Sequence, residues 1–198
     1  MPQEIAKLEH AAQRLDVIRY ARAVALLSPL KRHLLRLISV LLHYHSPKLP
    51  GYNGPLTPSG VADYVLGPDG LEACDTLNIE ITTTSSVNDP LIEGVYSMGS
   101  TASFGQNPQS DIDVWLVHSA ELTQNECQLL ADKTLLLTSW FAQFDFEVNF
   151  YLVHPLQFIQ DSEQQTDLYN CMGQEHSGSA QHWLLLEEFY RSQFRLAG

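Results

Sequence analysis

At 198 residues, 44% apolar and 17% charged, the chain is long enough for one globular domain with its own core, and no apolar run in it is long enough to span a membrane. Its formal net charge of −12 is split: residues 1–50 hold 8 of the 11 Lys and Arg against 3 acids, and residues 51–198 hold the other 3 against 20. The stretch after residue 50 is therefore too negative to bind nucleic acid unaided, and an anionic substrate there needs metal ions or the basic N-terminal segment.

Residues 3–28 repeat apolar positions at threes and fours (Ile5, Leu8, Ala12, Leu15, Ile18, Ala25), which predicts a helix. It carries acids and resembles no secretory signal. Pro29 opens a second helix to about residue 45. "SPKLPGYNGPLTPSG" reads as a long ordered loop, and residues 61–90 hold a "GPDG" turn between flanks whose pattern decides nothing. From residue 93 the pattern sharpens. "EGVYSMG" is a strand ending at Gly99, "DIDVWLVH" a second strand, 123–144 a helix and "DFEVNFYLV" a third strand. "AQHWLLLEEFYRSQFRL" predicts a last amphipathic helix. Strands and helices in this order give an α+β class, a small sheet with helices on one face. Trp115, Trp140, Phe141 and Phe150 read as core, and Cys127 as a buried thiol. Three widely spaced cysteines, Cys74, Cys127 and Cys171, suit reduced thiols in a cytoplasmic protein.

Asp111 and Asp113 interrupt an otherwise apolar, β-branched run. On a strand they project from one face while Ile112 and Val114 pack on the other. Two neighbouring carboxylates need a cation between them, or one must be protonated, and Mg²⁺ typically binds such acids together with substrate phosphates. Glu147 shares a face with Asn149 on the third strand and is a third acid for the same cleft. Gly99 lets backbone approach a phosphate closely, and Ser100 adds a hydroxyl and an amide N–H. A D-x-D alone is a weak signal, and its bland alternative is an edge strand with solvated acids. With the Gly-Ser turn before it and a strand acid after it, the set describes a two-metal nucleotidyl-transfer site.

Gly99-Ser100 followed by Asp111-Ile112-Asp113 resembles the signature of the polymerase-β-like nucleotidyltransferase superfamily. More narrowly, "LLHYHSPKLPGY", "GVYSMGSTASFGQNPQSDIDVWLVH", "EVNFYLV" and "QHWLLLEEFYR" resemble the N-terminal part of class I adenylate cyclases of gamma-proteobacteria. The resemblance implies a helical segment at 1–50 packed on a nucleotidyltransferase-like catalytic core at 51–198. It also implies a fragment of a longer enzyme, whose other half is regulatory and linked to a sugar-transport protein. The implied substrate is ATP and the implied products are 3′,5′-cyclic AMP and pyrophosphate. Asp111, Asp113 and Glu147 would hold two Mg²⁺ ions, with Mn²⁺ as a substitute; Glu147 is open between metal ligand and base for the ribose hydroxyl. Gly99 and Ser100 would cradle phosphates. Two other readings stand beside this one: transfer of AMP to a separate acceptor, and a non-catalytic nucleotide-binding fragment.

Basic residues near these motifs have two readings each. Lys48, with His43 and His45, is a phosphate contact or a means of ordering the loop and helix end. Arg191 is a triphosphate contact, or pairs with Glu187 one helical turn away; Arg195 shares that helix. His182 is a candidate neighbour of the nucleotide, or a partly buried core histidine. Ser103, Asn107 and Ser110 lie between the turn and the acids, Ser110 placed to cap or orient Asp111.

Overall fold

A computed structural model describes residues 2–81, 89–99, 110–155 and 193–198. Helix α1 (Pro2–Leu26) and helix α2 (Pro29–His43) meet at Ser28. The Ser28 hydroxyl accepts from the Lys31 amide, and Pro29 fills the first helical position, where its missing N–H leaves nothing unpaired. Leucines and isoleucines at helical spacing bury α2 deeply: Leu34, Leu35, Leu37, Ile38, Leu41 and Leu42 are fully enclosed. Among its described side chains α1 buries Ala23 and leaves Leu15, Val17 and Ile18 exposed, and Leu27 is buried just after its end. The expected loop follows, tied down where His45 Nε2 meets the Gly54 carbonyl at 2.7 Å and Asn53 donates to Leu129 O at 2.8 Å. Within 61–90 the chain forms α3 (Pro68–Thr76), led by Gly67 and Pro68.

Among the described residues, four strands form one mixed sheet in the order β3-β2-β1-β4. β1 (Ile92–Met98) and β2 (Ile112–His118) are antiparallel, whereas β2 and β3 (Val148–Val153) are parallel. Parallel neighbours need a crossover, here α4 (Gln124–Ala142). α4 starts on a capping box: Thr123 accepts from the Glu126 amide while Glu126 accepts from the Thr123 amide. Ile112, Val114 and Leu116 alternate onto the face covered by α2 and α4, joined there by Val95, Val148, Phe150 and Leu152. Trp115, Val117, Met98 and Val153 cluster on the other face with Tyr96 and Tyr151. The α+β class is what the structure has.

Two expectations are corrected. The end of the expected last helix is a strand, β4 (Phe194–Ala197), antiparallel to β1. Phe194 is buried, Arg195 exposed and Ala197 buried, and the free edge of β1 supplies hydrogen bonds a helix end would have to find in solvent. The rest of that expected helix lies outside the described residues. Cys127 is half-buried rather than buried. Phe141 and Phe150 are core and Trp140 packs at its margin, while Trp115 is buried on the opposite face.

Candidate active site

Asp111 and Glu147 stand one residue ahead of β2 and β3, and the Ile112 amide donates to the Glu147 carbonyl at 2.9 Å, carrying the parallel ladder to their level. One step on, Asp113 pairs in register with Asn149 and, on its other side, with Met98 at the end of β1. The acids and the Gly99 turn therefore gather at one end of the sheet. They do so because β1 runs opposite to two parallel strands, so that its end meets their beginnings.

Asn149 joins the aspartates: its Nδ2 donates to Asp111 Oδ2 at 3.2 Å. Burial pushes the Asp113 carboxyl above the usual carboxylate range, and the charge of Asp111 pushes it further. Hydrogen bonds from Asn149 and Tyr151 pull it down, and Glu147 adds a smaller upward push. Gly99 has φ +66°, and a Cβ there would stand 3.0 Å from Asp113 Oδ2. Only a glycine lets this turn lie against the carboxylate.

Asp111 and Asp113 are half-buried and Glu147 is exposed. Among the described residues, no three His, Cys, Asp or Glu side chains form a group that could hold a metal ion. The aspartate pair by itself fits a hard divalent cation: both donors are carboxylate oxygens, and burial and the Asp111 charge leave the ionised Asp113 to gain from one. Ser100 and Arg191 lie outside the described residues, as do Ser103, Asn107, His182 and Glu187.

The other candidates have structural partners. Lys48 makes an exposed ion pair with Glu80 at 2.8 Å. The Val61 amide donates to His43 Nδ1 at 3.0 Å, and His45 stacks on Tyr52, so both histidines order the loop. Arg195 lies on β4 instead of a helix, near Asp16, where it and Arg19 counter the upward push of burial on that carboxyl. Sequence reasoning gave no role to the Asn149 bridge or to Tyr151. The signal was the period of two through Glu147, Asn149 and Tyr151. It also missed a cavity of about 660 Å³ beside the acids, lined by residues of α1, α2 and α4 together with Ser110, Glu147 and Asn149. No local pattern could announce that, because its walls come from distant parts of the chain.

The model of the family described as "Adenylate cyclase NT domain" matches residues 4–198. The chain belongs to this family. It is 40% identical to proteins named adenylate cyclase from Shigella flexneri and Escherichia coli (strain K12), over 96% of the chain and 22% of those proteins. The adenylate cyclase of Pasteurella multocida is 38% identical over the whole chain and 24% of its own length. The chain thus spans about a quarter or less of the length of these curated relatives. No solved structure matches it. No helix among the described residues is long and apolar enough to cross a membrane.

Proposed function

We propose that this chain is the nucleotide-binding, acid-bearing part of an adenylate cyclase that converts ATP to 3′,5′-cyclic AMP and pyrophosphate, built on a sheet of the polymerase-β-like type. One observation carries the reading: the Asp111–Asp113 pair, joined by Asn149 and abutting the Gly99 turn, stands at one sheet end in a chain whose relatives are named adenylate cyclase.

Asp111 and Asp113 would hold the divalent ions, and Glu147 would either complete their ligand set or take the proton of the ribose 3′-hydroxyl. When bound, such ions supply positive charge to offset the triphosphate and lower the pKa of that hydroxyl. Asn149 fixes the Asp111 carboxylate, and Tyr151 steadies Asp113 in its ionised form. The Gly99 backbone, clear of any Cβ, leaves room for phosphate oxygens near Asp113. Because attacking hydroxyl and α-phosphorus belong to one molecule, the protein's work is positioning and charge neutralisation. On this reading the reaction runs in the cytoplasm, and a sugar-transport protein regulates it through the remainder of the enzyme.

The test uses the complete enzyme with labelled ATP and Mg²⁺ or Mn²⁺. Cyclic AMP and pyrophosphate as products, together with two Mn²⁺ ions between Asp111, Asp113 and Glu147 in a crystal holding a non-cleavable ATP analogue, is the expected result. AMP attached to a second molecule would move the assignment to nucleotidyl transfer, and nucleotide binding with no product would make the site non-catalytic.

A further inference from the structure

The sheet order gives the candidate site a direction. Gly99 follows the end of β1, Asp111 and Asp113 flank the start of β2, and Glu147 and Asn149 flank the start of β3, so these three strand ends lie in a row across neighbouring strands. At the β3 end of that row opens the cavity of about 660 Å³, within the roughly 300–1,000 Å³ typical of small-molecule sites. Leu26, Leu27, Ala142 and Phe146 give it an apolar wall. Lys31 and Asp145, 3.3 Å apart, bridge α2 to the turn after α4 at its side. An apolar wall with a few fixed polar groups is what a flat heterocycle needs.

We propose that this cavity takes the nucleoside end of the substrate, the base against Leu26, Leu27 and Phe146 and the ribose reaching the aspartates past Ser110, Glu147 and Asn149. The assignment rests on the nucleotide reading above and adds to it the element that selects the base. Three features support it. The cavity adjoins the acids: Glu147 lines it, and so do Ser110, which precedes Asp111, and Asn149, which donates to Asp111. Its described lining offers more to a base than to phosphates: four apolar side chains against one lysine, Lys31, which is paired with Asp145. The Gly99 turn, where backbone comes close to Asp113, lies on the opposite side of the aspartates, so a nucleotide stretched along the row has its phosphates at β1 and its base at β3.

Filling the cavity in the complete enzyme tests this. Ala142 is the exposed last residue of α4, so Ala142→Trp adds bulk at the wall with little disturbance of the core. The KM for ATP should rise about tenfold or more, while the inhibition constant of inorganic triphosphate, which lacks a nucleoside, stays within about twofold. An unchanged KM for ATP in a variant that melts like wild type would overturn the assignment. If Ala142→Trp melts early, Leu26→Trp, at a position 38% exposed, gives the same readout. Wild type turning over normally beside an unaffected variant removes the cavity alone; wild type that fails to bind magnesium ATP removes the nucleotide reading with it.

Discussion

Asp113 carries the cost of the candidate site in one side chain. Its carboxyl is pushed above the ordinary range by burial and by Asp111, so its ionised form is disfavoured in the fold. The stability linked to this group is present below the ordinary carboxylate pKa and is lost as pH rises through the raised, folded value. Asp113→Asn removes that charge while keeping the shape. We expect turnover of the complete enzyme to fall by about 100-fold or more, and its melting temperature near neutral pH to be no lower than wild type. Gly99→Ala acts in the opposite sense on the fold. It places an L side chain at φ +66° and sets a methyl 3.0 Å from Asp113 Oδ2, so chemical denaturation should show a loss of about 1–2 kcal/mol along with reduced turnover. Both aspartates and the glycine were legible because each breaks a local rule: acids in a β-branched run, a glycine where a strand stops. Asn149 breaks none, and its bridge to Asp111 depends on a strand register between residues 38 positions apart.

α4 is the element that makes the site possible, since it returns the chain so that β3 can lie parallel to β2. Its start is written locally as Thr123-Gln124-Asn125-Glu126, and both halves of the capping box form. Thr123→Ala should cost about 1 kcal/mol in a denaturant titration and leave nucleotide affinity unchanged, because the box is at the far end of α4 from the acids. Helices announced by caps and period were readable, as α2 and α4 show. β4 was not. Phe194-Arg195-Leu196 satisfies a helical and an alternating pattern equally well over so short a span, and the free edge of β1 decides between them. α3 was hidden for a related reason: nine residues offer too few turns for a period to emerge.

At the scale of the molecule, the buried Lys133 ties the fold to pH. It is fully buried on α4, its Nζ has no hydrogen-bond partner among the described residues, and desolvation lowers its pKa to about 7. Burial holds the pKa values of His43 and His45 below normal, and the charge of Lys133 lowers them a little further. A lysine whose folded pKa is depressed destabilises fully below that value, and the penalty fades as pH climbs from about 7 toward the unfolded value of 10.5. Lys133→Met should therefore stabilise the chain by up to about 4 kcal/mol near pH 7, and by progressively less toward pH 10, in thermal melts across that range. Net charge, by contrast, was readable at once: the stretch after residue 50 holds 20 acids against 3 Lys and Arg.

The short strand β4 has a consequence beyond the sheet it completes. It covers the main chain of β1 from Val95 to Ser97, and around it Arg19 donates to the Gln193 carbonyl while Tyr20 packs edge-on against Phe194. Take those four residues away and β1 becomes an open margin of unpaired amides and carbonyls, a template for a strand from another molecule. A truncation ending just before Phe194 would thus first show itself as self-association and precipitation, with the distant carboxylates still in place.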